Sequence, residues 1–422
     1  MTDSKLSRTL AAKYDGAKFL ELREANGWAQ KSVPGFGGNA DSTQRRVGAI
    51  ERGEPGVPLG DYRIYAKALD KPLEYFLRAV LVDSATAHAL GHTCTALVTA
   101  ADRAAHRTLA RPWGMRTAET LDCKITGLSP GEDPTQPVDY STSSAMRALI
   151  SLLANQNDHP FSHGVLVIDE ETGVEIYPAG ARTYKYILQC DSADDTVAFE
   201  RKLGGTCLAS VYQKGAGLIA ASASDYMRGL IYSRVRGAST QAIRFRRKLS
   251  GRRDAFGSIY YLHPTARKEL KGATINLYLG HANRIGLCAA HAPKLCDRRD
   301  VSIVSYGGSR GPLLVADGSI DAALEFTKGF RLLDALPGLF LADGAGAVVR
   351  GLDEHGAFDL HGPYTEMEAI LETKPRKEWP KGLDRYRVRF VVAATPELAE
   401  ELAGHVDTPF GAPSFRRRAA KP

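Results

Sequence analysis

Val315-Ala316-Asp317-Gly318-Ser319-Ile320-Asp321-Ala322-Ala323-Leu324-Glu325, continued by Asp334-Ala335-Leu336-Pro337-Gly338 and Gly344-Ala345-Gly346-Ala347-Val348-Val349, is the stretch on which the reading of this chain turns. It sets one acid, Asp334, at the head of an apolar run. Upstream, Glu170-Glu171 and Asp191-Ser192-Ala193-Asp194-Asp195-Thr196 stand about one β-hairpin apart. Glu170 and Glu171 close the apolar run Gly164-Val165-Leu166-Val167-Ile168. Tyr184-Lys185-Tyr186-Ile187-Leu188 delivers Asp191, so both acidic elements are expected at strand ends. Mg²⁺ takes hard oxygen ligands in octahedral geometry, usually one or two carboxylates per ion, with phosphate and water completing the shell. Three acidic elements brought to one point would form such a site. The Asp-x-x-Asp-x-Thr turn, expected to lead into a helix, adds backbone N–H groups and the positive end of a helix dipole, which suit a phosphate.

Any one of these acids alone would ordinarily be a solvated turn residue. Their order along the chain resembles the inositol monophosphatase family, whose signatures are a Glu-Glu pair, Asp-Pro-Ile/Leu-Asp-Gly-Thr/Ser, and a late Trp-Asp-x-Ala-x-Gly followed by Glu-Ala-Gly-Gly. The late stretch is similar to that family's Val-Ala-x-Gly-x-x-Asp-Ala-x-x-Glu and Asp-x-x-x-Gly. Val138-Asp139-Tyr140-Ser141-Thr142 is similar to its Asp-x-x-Thr segment, so the resemblance covers residues 86 to 405. It implies an α-β-α-β-α layered sandwich and a Mg²⁺-dependent phosphomonoesterase holding two or three ions. Glu170, Asp191, Asp194 and Asp334 would be metal ligands, Thr196 and Glu171 catalytic residues, and Asp195 and Glu325 substrate contacts. The substrate would be an inositol phosphate, a sugar bisphosphate or a phosphonucleotide, and the assembly a homodimer. Read from the residues alone, Glu325 is also compatible with an ordinary helix-face acid.

The chain departs from the pattern at instructive places. Ser192 and Asp195 replace the Pro and Gly of the Asp turn, Gly344 replaces the Glu of Glu-Ala-Gly-Gly, and Ala145 stands where the family has an Asp that helps orient the attacking water. These departures favour an alternative, a transcription regulator whose degenerate phosphatase-like domain senses a phosphorylated metabolite without turnover.

The N-terminal segment reads separately. Ala17-Lys18-Phe19-Leu20-Glu21-Leu22-Arg23-Glu24-Ala25-Asn26-Gly27-Trp28 has apolar residues at helical spacing and a Gly stop. Val47-Gly48-Ala49-Ile50-Glu51-Arg52-Gly53-Glu54 closes another helix, and two more are expected before residue 78. The order resembles a Cro-like (lambda-repressor-like) helix-turn-helix domain over residues 1–83, with Gln30 opening the second helix. That resemblance implies DNA as a partner, read by Ser42, Thr43, Gln44, Arg45 and Arg46 on or beside a recognition helix. Pro34 and the glycines after it interrupt the expected second helix, because Pro removes a donor and clashes within a helix. A helical domain serving dimerisation or protein contact fits the same pattern.

With 422 residues and 44% hydrophobic content, the chain can bury one large core, at 84–408, beside the small helical domain. A basic tail, 409–422, is expected to be disordered. No run approaches the roughly 18 apolar residues of a membrane span, and the polar start lacks a signal-peptide core, so a cytoplasmic protein without membrane contact is expected. The six cysteines lack the rhythm of a disulfide scaffold. His281, Cys288, His291 and Cys296 carry zinc-ligand chemistry at a spacing that matches no zinc module. Cys190 reads as core packing rather than a nucleophile. The net charge of +7 is uneven, with eight basic residues and no acid between Arg234 and Arg253. Such a run is ordinarily solvated surface.

Overall fold

The computed structural model describes residues 16–36, 38–52, 54, 57, 59–69, 84–109, 137–169, 173–194, 205–213, 216–247, 253–279, 282–351, 371 and 387–406. Among the described residues three helices come first: α1 (Gly16–Ala25), α2 (Ala40–Glu51) and α3 (Leu59–Ala68), with a 3₁₀ turn at Gln30–Ser32 between the first two. Pro34 explains why that turn is not a full helix: it cannot donate the backbone bond that would extend it. Asn39 caps α2, its side chain accepting from the Ser42 N–H at 2.8 Å. Phe19, Val47, Ile50, Tyr62 and Tyr65 make a core of their own.

The rest of the chain is layered. Helices α4 (Ser84–Leu109) and α5 (Pro137–Ala154) cover one face of an eight-stranded sheet. Its strands are β1 (Val165–Asp169), β2 (Gly173–Tyr177), β3 (Tyr186–Asp194), β4 (Thr206–Gln213), β5 (Gly217–Asp225), β6 (Leu230–Val235), β7 (Gln241–Arg247) and β8 (Arg253–Tyr261), in the order β2-β1-β3-β4-β5-β6-β7-β8. Only β1 and β3 run parallel in it. A five-stranded sheet follows, built from β9 (Thr274–Leu277), β10 (Ser302–Val304), β11 (Ala322–Arg331), β12 (Val348–Gly351) and β13 (Arg387–Ala393), in the order β10-β9-β11-β13-β12. Between the sheets lie α8 (Arg310–Ala316) and α9 (Leu332–Ala345). The outer face of the second sheet carries α6 (Ala282–His291), α7 (Pro293–Cys296) and α10 (Pro396–Gly404).

Strand alternation generates these layers. On β1, Leu166 and Ile168 join the central core while Val165 and Val167 face α4 and α5. Helix α9 has no polar stripe to spare: Ala335, Leu336, Leu339, Leu341 and Ala342 are all inaccessible, as a helix sandwiched between two sheets requires. The expected α-β-α-β-α order is thus realised. Helix α5 begins at Pro137, seven residues before the expected start, with Pro in the first turn, where its missing N–H costs nothing. Asp139 and Thr142 therefore sit inside α5 rather than ahead of it.

Candidate metal centre

Sequence reading put Asp191 at a strand end and Asp191–Thr196 in a turn leading into a helix. Strand β3 instead runs on through Asp194, which still pairs with β4. Asp191 faces Leu208 and Asp194 faces Thr206, so three steps along β3 match two along β4. That is a β-bulge, and it has a consequence. In a regular strand, residues an odd number apart point to opposite faces. The bulge at Ser192 and Ala193 turns Asp194 back to the side on which Asp191 already lies. Asp191 shares the face of Ile187, which belongs to the central core beneath α8 and α9.

Asp334, in the first turn of α9, completes the group. One oxygen from each of Asp191, Asp194 and Asp334 lies within 4.8 Å of the others. Asp191 is 2% and Asp334 7% exposed. Arg331, the residue before α9, supplies one compensating charge, its Nε 3.1 Å from Asp334 Oδ2. Thr206 Oγ1 donates to Asp194 Oδ2 at 3.0 Å and the Ser309 N–H at 3.3 Å. Asp194 is seated against Gly308, where a Cβ would fall 1.8 Å from the same oxygen. Three carboxylates held this closely, two of them nearly dry, repel one another, and a hard divalent cation with oxygen ligands relieves that repulsion. The donor set and the glycine cradle fit such an ion.

The other expected residues divide. Glu170, Glu171, Asp195 and Thr196 lie outside the described residues. Glu325 is on strand β11, not on a helix face, and is 2% exposed. Its Oε1 accepts from the Thr327 N–H (2.9 Å), Thr327 Oγ1 (2.7 Å) and the Gly329 N–H (3.0 Å), closing the irregularity between Glu325 and Phe330. Burial pushes the Arg389 guanidinium below its ordinary range, against the pull of Glu325. Thr142, from the Asp-x-x-Thr segment, places its hydroxyl 3.0 Å from Ser192 Oγ and 2.8 Å from the Val138 carbonyl, so α5 grips the bulge from the opposite face. Ala145 offers no carboxylate. Cys190 is fully buried, and burial, then Asp169, pushes its thiol well above the ordinary range, which suits packing rather than nucleophilic attack.

Sequence reading passed over Gly308, Ser309, Thr206 and Arg331. A signal for two of them existed: Gly307-Gly308-Ser309 precedes α8 as a turn with a Ser at the helix start. Of the four residues with zinc-ligand chemistry, His281 lies outside the described residues, Cys288 is buried in the core under α6 and Cys296 is exposed. Two members of the basic run are structural, Arg234 bonding Asp343 and Arg236 the carbonyls of Ala216 and Leu218.

Ser42, Thr43, Gln44, Arg45 and Arg46 all lie on α2, with different exposures. Gln44 and Arg45 are exposed, Ser42 is half-buried and Thr43 is buried. Arg46 is paired with Asp61 and sits 4.8 Å over the Phe36 ring, and this pairing holds its guanidinium above its ordinary range. No helix among the described residues is long and apolar enough to cross a membrane.

No protein-family model and no curated protein matches the chain. Solved structures do resemble it. The extragenic suppressor protein suhB from Bartonella henselae superposes with a TM-score of 0.50 at 13% identity, over 74% of this chain and 98% of that one. Inositol monophosphatase-II from Staphylococcus aureus MSSA476 gives 0.49 at 15% identity, over 78% and 99%. SuhB of Mycobacterium tuberculosis gives 0.46 at 18% identity, over 75% and 94%. The likeness to the Bartonella protein is one of fold, and it supports the layered α/β architecture.

Proposed function

We propose that this chain is a Mg²⁺-dependent phosphomonoesterase joined to an N-terminal helical domain that binds DNA. The observation that carries the phosphatase half is the convergence of Asp191, Asp194 and Asp334, from a bulged strand and a helix start, on one point. Asp191, Asp194 and Asp334 would hold the cation, with Glu170 as a further ligand. Bound there, Mg²⁺ supplies Lewis-acid polarisation of a phosphoryl oxygen. Thr206 and the Ser309 N–H fix the orientation of Asp194, and Arg331 that of Asp334. Thr196 and Glu171 are proposed to orient the attacking water, with Asp195 and Glu325 on the substrate side. Inositol phosphates, sugar bisphosphates and phosphonucleotides are the substrates to test.

The test is phosphate release from a panel of these esters with Mg²⁺. Wild type is expected to turn over at least one, and Asp191→Asn to lose about a hundredfold or more of that rate. Equal rates for the two proteins would refute the assignment. A reading as a metabolite sensor without turnover is favoured by Ala145, which leaves no carboxylate at the position where the family has a water-orienting Asp. Metal-dependent ligand binding without phosphate release would select it.

The DNA half rests on α2, where Gln44 and Arg45 are exposed while Arg46 is engaged within the helical unit. In gel-shift titrations against DNA flanking its own coding region, Arg45→Ala is expected to weaken binding about tenfold. No shift by wild type would rule out the DNA-binding reading.

A further inference from the structure

We infer that Ser309 is the positioning residue that locks the two halves of the metal centre together, an inference that rests on the metal reading of that site. Ser309 is fully buried and precedes α8. Serine at a helix start ordinarily turns its hydroxyl onto its own helix. Ser309 makes no such cap. Its hydroxyl is directed instead into α9, where Oγ donates to the Asp334 carbonyl and accepts from the Gly338 N–H at 3.1 Å.

Asp334 and Gly338 are four residues apart, so these are the two groups that a regular helix would bond to each other. The Ser309 hydroxyl therefore stands in a rung of α9, in the turn that carries the Asp334 carboxylate. Pro337, one residue earlier, cannot donate to the preceding turn at all. The turn thus has one rung without a donor, at Pro337, and beside it a rung whose two ends both bond the Ser309 hydroxyl from outside the helix. The same residue reaches the other half of the centre through its backbone, its N–H donating to Asp194 Oδ2 at 3.3 Å. One buried serine consequently bonds the bulged strand through its amide and the helix of Asp334 through its side chain.

The fit is close enough that a side chain on the opposing side must displace Ser309. A Cβ at Gly338 would fall 2.8 Å from the Cβ, the carbonyl oxygen and the Oγ of Ser309. Gly338, quoted in the sequence as part of Asp-x-x-x-Gly, is small because Ser309 occupies the space. Partners that orient metal ligands ordinarily change affinity ten- to a hundredfold when removed.

The experiment is a Mn²⁺ titration of the full chain followed by the ion's electron paramagnetic resonance signal, on wild type, Asp191→Asn, Ser309→Ala and Ser309→Thr, with the melting temperature of each metal-free protein. Expected are weaker binding in Asp191→Asn, about tenfold or more weaker binding in Ser309→Ala with a melting temperature within a few degrees of wild type, and recovery in Ser309→Thr. Wild-type affinity in Ser309→Ala, beside weakened Asp191→Asn, would overturn the inference alone. Absence of site-specific binding in wild type would overturn the metal reading and the inference with it. Should Ser309→Ala be unfolded by circular dichroism, the same titration on Gly338→Ala decides, since that variant keeps the hydroxyl and every carboxylate while displacing one from the other. Weakened binding supports the inference and unchanged binding overturns it.

Discussion

Gly308 sits at φ +52°, in the left-handed region, with the Asp194 carboxylate where its side chain would be. Two costs would meet in Gly308→Ala. A non-glycine residue in this backbone region costs about 1–2 kcal/mol, and the methyl group must push Asp194 off its seat, since the contacting atom belongs to a carboxylate already held by Thr206 and Ser309. The variant is expected to melt a few degrees lower and to bind Mn²⁺ at least tenfold more weakly, with phosphate release falling in parallel. A variant with lowered stability but wild-type metal affinity would show that the cradle serves only the fold. At this scale the sequence disclosed the carboxylates and hid the residues that seat them. Asp191, Asp194 and Asp334 were legible through their order along the chain, which resembles the family's, since each alone would pass for a solvated turn residue. Ser309 and Gly308 were not, because a Gly-Gly-Ser turn is compatible with any loop, and only the packing of α9 against it gives the hydroxyl a purpose.

At the scale of elements, alternation and helical spacing placed β1 and α4 within a few residues and found the body of α5 though not its start, since each must bury one face against the large sheet. The miss at β3 is informative. Leu188 looked like the end of an apolar strand, and the polar run Asp191-Ser192-Ala193-Asp194 looked like a turn. Pairing with β4 overrode that local preference and carried the strand through Asp194. The bulge that results cannot be read from residue types, because it is defined by a mismatch of register with Thr206 and Leu208, residues remote in sequence. Yet it is the element that aims two carboxylates the same way. Glu325 illustrates the converse: its place in the family-like order was legible, whereas the three hydrogen bonds that hold it to Thr327 and Gly329 depend on the irregular course of β11.

At the scale of the whole molecule, the described core residues fall into separate sets, and none in the helical unit at 16–69 belongs to the cores of the layered sandwich. The small unit must therefore hold itself together, and a unit this size draws only about 3–5 kcal/mol from its core. Glu51 is its tie. From α2 it accepts from Arg23 of α1 at 2.6 Å and from Gln30 of the 3₁₀ turn at 2.7 Å, and it takes the Tyr65 hydroxyl of α3. Burial pushes the Glu51 carboxyl upward, but the bonds from Arg23, Tyr65 and Gln30 outweigh it and hold the group below its ordinary range. Arg23 is only 7% exposed, so Glu51→Gln would take the nearest carboxylate from a nearly buried guanidinium, leaving it the Trp28 carbonyl and the more distant Glu24. Breaking such a pair costs about 3 kcal/mol, comparable to the whole stability of the unit. A carboxyl whose folded value is depressed stabilises the fold above its unfolded value, and that contribution is lost as pH falls through the folded one. Acid should therefore reproduce the substitution. By hydrogen–deuterium exchange at neutral pH, Glu51→Gln is expected to lose protection throughout 16–69 while 84–109 and 137–351 exchange as in wild type, with gel-shift activity lost and phosphate release retained. Loss of protection in the sandwich as well would show that the two parts fold as one.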